Sequence, residues 1–130
     1  MRDIIMVVDD ESDIVNFITG FLEDEGYAVA AFSDGFAALD YARLQPPALA
    51  LVDLLMPLMN GRELIYRLRT EVGAHLPIIL MSASTSLANA RNLPIQDYIS
   101  KPFDLAELLD RIEAHVGVAA RMRVPGRPAL

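Results

Sequence analysis

Five short apolar runs limit what this chain can fold into. They are Ile4 to Val8, Tyr27 to Phe32, Ala48 to Val52, Pro77 to Met81 and Ile95 to Ser100. The first four are unbroken rather than alternating, as expected for a strand covered on both faces, and the fifth carries Gln96 and Asp97 among its apolar residues. Helical spacing fills the intervals. Ile14, Val15, Ile18, Phe21 and Leu22 form one stripe, stopped by Gly26, and Phe36 to Leu44 forms another, stopped by Pro46 and Pro47. Leu64, Ile65 and Leu68 mark a third, and Leu105, Leu108, Leu109, Ile112 and Val116 mark the last. Strands alternating with helices predict a doubly wound α/β fold, a five-stranded parallel sheet with helices on both faces. Right-handed crossovers then align the carboxyl ends of the strands along one edge, where ligands of such folds bind.

With 130 residues, 53% of them hydrophobic, the chain suits one domain with a real core. The domain is expected over residues 1–116, followed by a loosely ordered tail, 117–130, containing Arg, Pro and Gly. There is no cysteine, which excludes disulfides and thiolate metal sites. The N-terminus does not resemble a signal peptide and no run reaches membrane-spanning length, so a cytoplasmic location without membrane contact is expected. The net charge is −7, and −10 over residues 1–120 once Arg121, Arg123 and Arg127 are set aside. That balance argues against direct binding to nucleic acid. Ten arginines accompany a single lysine, Lys101.

The reactive side chains sit at strand ends. Asp9 and Asp10 follow the first run, Asp53 the third, Ser82 the fourth and Lys101 the fifth. Adjacent carboxylates near a low-dielectric core resist ionising together, so a cation among them would relieve a real cost. Simpler readings compete at each position. Acids at 9–13 suit the positive end of a helix, Ser82 suits a turn, Lys101 a solvated surface and Tyr98 a half-buried strand. The helix-start reading explains Glu11 and Asp13 but not Asp53 on another strand. Met56, Met59 and Met81 read as loop and core filler, and His75 and His115 lie on no motif.

Four segments, VVDDE (7–11), DLLMPLMNG (53–61), MSA (81–83) and YISKPF (98–103), together resemble a receiver domain of the two-component response-regulator family, of the stand-alone type. The resemblance runs from residue 3 to about 116. It implies the flavodoxin-like strand order 2-1-3-4-5 and a phosphoacceptor, Asp53, loaded by a sensor histidine kinase or a histidine phosphotransfer protein. It implies Mg²⁺ as cofactor, held by Asp9, Asp10, Asp53 and the backbone carbonyl of Leu55. Lys101 and Ser82 would contact the phosphoryl oxygens, and Ser82 and Tyr98 would form the switch to an output protein. A cis Lys101–Pro102 bond would help aim the lysine. Such a domain is no enzyme beyond catalysing its own phosphorylation and dephosphorylation.

The sequence departs from the family between Ser82 and Lys101, which is a few residues short. A short or irregular fourth helix is expected over Ser84 to Pro94, with Leu87, Ala88, Ala90 and Leu93 as its buried candidates. Asp97 and Arg111 resemble charges used in family homodimers built on the fourth helix, fifth strand and last helix. Read as residues alone, they are isolated surface charges worth little. Two further functions compete. One is a receiver-like interaction module whose output is uncoupled from phosphorylation. The other is a Mg²⁺-dependent phosphohydrolase, which ranks last because its acids are typically one residue apart on the nucleophile's own strand.

Overall fold

The computed structural model describes residues 4–83, 90 and 92–116. The elements in chain order are β1 (Ile4–Val8), α1 (Ser12–Asp24), β2 (Ala28–Phe32), α2 (Gly35–Leu44), β3 (Leu49–Asp53), α3 (Gly61–Glu71), β4 (Ile78–Ala83), β5 (Asp97–Lys101) and α4 (Leu105–Val116). The strands pair in parallel in the order β2-β1-β3-β4-β5, the order the family resemblance implies. The expected helix between Ser84 and Pro94 lies largely outside the described residues, as does the 117–130 tail. Of its four buried candidates, Ala90 and Leu93 can be placed, and both are buried.

Two-sided burial explains why the central strands are continuous apolar runs. Successive side chains of a strand point to opposite faces. Met6, Val8, Ala50, Val52, Ile78 and Leu80 join Leu39, Leu64, Ile65 and Leu68 on the α2–α3 face. Their neighbours Ile5, Val7, Leu49, Leu51, Ile79 and Met81 join Ile18, Leu22, Leu108 and Ile112 on the α1–α4 face. Fully burying one such side chain contributes about 1.5–3 kcal/mol, so the two layers jointly hold the sheet. Met56, Met59 and Met81 are all buried within these layers.

Local chemistry sets the helix ends. Gly26, at φ 98°, closes α1 by donating to Glu23 O, while Tyr27 N donates to Leu22 O. This left-handed closure favours glycine. It also draws Tyr27 into the helix cap, so β2 begins one residue later than the apolar pattern suggests. Asp34, Asn60 and Asp104 accept from the backbone N–H three residues on, at 2.8, 2.9 and 2.7 Å, at the starts of α2, α3 and α4. These caps all lie at the carboxyl edge of the sheet.

The opposite edge is tied by Arg69. Its guanidinium donates to the carbonyls of Gly73, Ala74, Leu76 and Pro94 and to Gln96 Oε1, at 2.7–3.2 Å. Gln96 Oε1 also accepts from Ile78 N, and Gln96 N donates to Ile78 O. The end of α3, the start of β4 and the approach to β5 are thereby joined. Ile95 and Gln96 belong to this turn rather than to the fifth strand.

Candidate functional site

Four of the side chains singled out in the sequence meet at the carboxyl edge. Asp9, just past β1, is 0% exposed, and Asp53, the last residue of β3, is 5% exposed. Lys101 Nζ donates to Asp9 Oδ2 at 2.9 Å and to Asp53 Oδ1 at 3.2 Å. It also lies 3.6 Å from Glu11 Oε1. The other Asp9 oxygen accepts from Glu11 N at 3.0 Å, which fixes the turn into α1. Asp10 is exposed, yet it, Asp9 and Asp53 each bring an oxygen within 4.8 Å of the others.

Glycine makes this convergence sterically available. A Cβ on Gly61 would run into the Asp53 carbonyl and the Leu54 backbone. Gly61 N instead donates to Leu54 O at 2.9 Å, so α3 starts directly against the end of β3. The loop between them holds Leu55 and Leu58 outward, both largely exposed, and Leu58 takes φ 66°, in the left-handed region. A leucine there costs more than a glycine, because its Cβ crowds the backbone.

Charge in the cluster is unbalanced. Burial, and then the negative charge of Asp9, push the Asp53 carboxyl up to about 6; Lys101 pulls it down and Asp10 raises it further. Burial also disfavours the charged form of Lys101, but its hydrogen bond with Asp9 and the Asp53 charge prevail and hold it above the usual range. One ammonium faces three clustered carboxylates. All three donors are hard oxygens, which suits a small divalent cation such as Mg²⁺ and would offset the remaining repulsion.

Ser82 and Tyr98 stand differently. Ser82 is 2% exposed near the end of β4, with its Oγ donating to Ala83 O at 3.2 Å. The register sets Met81 beside Asp53 and Ala83 beside Lys101, so Ser82 lies between the levels of the two charged groups. The Tyr98 side chain is on the surface, 49% exposed, three residues before Lys101. The Lys101–Pro102 bond is cis.

Asp97 and Arg111 are not isolated charges. Asp97 Oδ1 accepts from Arg111 Nη1 at 2.6 Å and from Tyr98 N at 2.8 Å, while its Oδ2 lies 3.1 Å from His115 Nε2. Arg111 also donates to Tyr98 O and to Glu107. Burial opposes ionisation of Asp97, but the bonds from His115 and Tyr98 and the Arg111 charge hold its carboxyl below the usual range. His115, which no motif marks, thus belongs to a cluster joining β5 to α4. The signal was the spacing of Glu107, Arg111 and His115 at successive intervals of four, which stacks them on one helix face.

A two-layered parallel sheet with acids at the ends of β1 and β3 and a lysine at the end of β5 defines a class. The chain belongs to the response regulator receiver domain family, whose model matches residues 5–113. It is 35% identical to the response regulator GtcR of Aneurinibacillus migulanus over 133 residues, covering 100% of this chain and 54% of that protein. It is 36% identical to the DNA-binding response regulator MtrA of Mycobacterium tuberculosis over 119 residues, 89% of this chain and 51% of that one. The chain spans about half the length of the curated relatives it matches. Among solved structures it resembles the receiver domain of sensor histidine kinase PA1611 from Pseudomonas aeruginosa PAO1, which has a magnesium ion coordinated in its active site cleft. The TM-score is 0.80 at 29% identity, over 90% of this chain and 99% of that one. The receiver domain of NtrX from Brucella abortus superposes with a TM-score of 0.80 at 27% identity, over 86% and 97% of the two chains. Among the described residues no helix is long and apolar enough to cross a membrane.

Proposed function

We propose that this chain is a phosphoacceptor whose reacting group is the Asp53 carboxylate. The observation that carries the reading is the position of that carboxylate. It is nearly buried at a strand end, clustered with Asp9 and Asp10 and hydrogen-bonded to Lys101. An Asp53 oxygen attacks the phosphorus of a phosphohistidine on a kinase or phosphotransfer protein. The new P–O bond forms as the P–N bond breaks, and the electron pair leaves with the imidazole nitrogen.

Asp9, Asp10, Asp53 and the Leu55 carbonyl are the groups assigned to hold Mg²⁺. When bound, that ion supplies positive charge against the carboxylates and the transferring phosphoryl oxygens. Lys101, already within reach of Asp53, places a compact ammonium against one phosphoryl oxygen. Ser82 offers its hydroxyl to another by giving up the Ala83 carbonyl, and Tyr98 then turns inward to alter the face seen by an output protein. The functional unit is residues 1–116.

Incubation with acetyl phosphate and Mg²⁺ followed by intact mass tests the reading. One phosphoryl group should be gained, and Asp53→Asn or a chelator should abolish the gain. Labelling that persists in Asp53→Asn would overturn the assignment.

A further inference from the structure

The Lys101 ammonium carries three N–H donors. It is held by Asp9 Oδ2 at 2.9 Å and Asp53 Oδ1 at 3.2 Å, and a third acid, Glu11, stands 3.6 Å away with its Oε1. The Glu11 side chain is 60% exposed, and an exposed pair at that distance adds little to stability. Two features nevertheless direct it at the lysine. Glu11 N donates to Asp9 Oδ1 at 3.0 Å, so the backbone that carries the glutamate is tied to the same carboxylate that holds the ammonium. Glu11 is also the N-cap of α1, yet its side chain makes no capping hydrogen bond. Asp34, Asn60 and Asp104 do cap α2, α3 and α4. Glutamate is not among the residues favoured at that position, and here its carboxylate is left to face Lys101.

The ammonium occupies oxygens that a divalent cation needs. Both Asp9 oxygens are engaged, Oδ1 by Glu11 N and Oδ2 by Lys101, and Asp53 Oδ1 also faces the lysine. Cations at such short range repel, so the ammonium gives up part of its contacts when Asp9, Asp10 and Asp53 hold a divalent ion. We propose that Glu11 is a positioning residue for Lys101, the seat to which the ammonium withdraws when Mg²⁺ is bound. The proposal rests on the reading of the three aspartates as a metal site. The move is short, because less than about 1 Å brings Nζ to the ~2.9 Å of a hydrogen bond with Glu11 Oε1. It keeps the ammonium at the carboxyl edge, beside Asp53, whereas a lysine released to solvent spreads over many rotamers. Glu11 acts here through Lys101 alone.

Lys101 is the only lysine of the chain, so isotope-labelled lysine gives a single ε-methylene group to follow by NMR. A held ammonium keeps its two ε protons inequivalent, and a freely rotating one averages them. In the wild-type chain they should stay inequivalent both in chelator and in saturating Mg²⁺. Glu11→Gln keeps the shape of the side chain and removes its charge. Its lysine protons should be inequivalent in chelator, where Asp9 and Asp53 hold the ammonium, and should average on adding Mg²⁺. Asp13→Asn removes an equal charge from the first turn of α1 and should behave as wild type. Calorimetry supplies a second readout. Glu11→Gln should weaken Mg²⁺ binding severalfold, and the loss should vanish in a Lys101→Met background. Averaging in the Mg²⁺-loaded wild-type chain would overturn the proposal. So would persistent inequivalence in Glu11→Gln, or an equal loss of affinity with and without the lysine. If Mg²⁺ gives the wild-type chain neither heat nor a shift of the Asp9 and Asp10 amides, the metal site itself is refuted, and this proposal with it.

Discussion

Lys101 and Asp9 are 92 positions apart in the chain, yet the Nζ of the one lies 2.9 Å from the fully buried Oδ2 of the other. The same ammonium reaches Asp53. A point charge on a flexible stem can serve both carboxylates, whereas a planar guanidinium is wider and fixes its donors in one fork. Lys101→Arg should therefore slow phosphorylation by acetyl phosphate by about tenfold, equivalent to ~1.4 kcal/mol, although the charge is kept. The check is the rate of mass gain at fixed Mg²⁺. Equal rates in the two proteins would make the choice of cation incidental.

Asp53 should destabilise the chelated protein. Its folded pKa, about 6, lies above the ordinary value of 3.8. Between those values the folded chain holds more protons than the unfolded one, so stability falls as pH rises through the window. The full cost, present above pH 6, is ~3 kcal/mol as an upper bound. Asp53→Asn should raise stability in chelator at neutral pH by about 1–3 kcal/mol and flatten the dependence between about pH 4 and 6. Urea melts across that range decide it, and a less stable variant at neutral pH would refute it.

The Asp97 cluster should behave in the opposite sense. A depressed carboxyl contributes stability that is present above its unfolded value and lost as pH falls through its folded value. Asp97→Asn should cost about 1 kcal/mol near neutral pH, the scale of a partly buried ion pair. The gap between the two proteins should close below the ordinary value of 3.8. A gap that persists at about pH 2 would assign the loss to packing instead.

Gly61 should not tolerate a methyl group. Because the added Cβ meets backbone rather than a flexible side chain, α3 or the end of β3 has to move. Gly61→Ala should cost roughly 1–3 kcal/mol and lower the phosphorylation rate by displacing Asp53. Gly73→Ala, where a Cβ meets nothing within 4 Å, is the control. Similar losses in both would show that the close approach is unimportant.

The sheet and the acidic cluster were legible because strand-end residues need only a parallel topology to converge. Asp9, Asp53 and Lys101 could be set at one edge before any distance was known. The contacts of Asp97 with Arg111 and His115 were only half legible: the interval of four sets Arg111 and His115 on one helix face, but that this face meets Asp97 depends on how α4 lies across β5. The Arg69 contacts were hidden for another reason. Four of the acceptors are backbone carbonyls, which every residue carries, so no side chain in the sequence advertises them. The caps at Asp34, Asn60 and Asp104 had a signal, a short polar residue ahead of each apolar stripe.

Burial of both strand faces has a consequence for how such a chain can diverge. Within β1, the first four positions of β3 and most of β4 every side chain faces hydrocarbon, so exchanges there are confined to other apolar side chains and leave the chemistry untouched. The loops at the carboxyl edge are under the reverse restriction. They can change sequence and specificity while the two apolar layers stay as they are. Consistent with that division, a chain sharing 27% of its residues with the NtrX receiver keeps its backbone at a TM-score of 0.80.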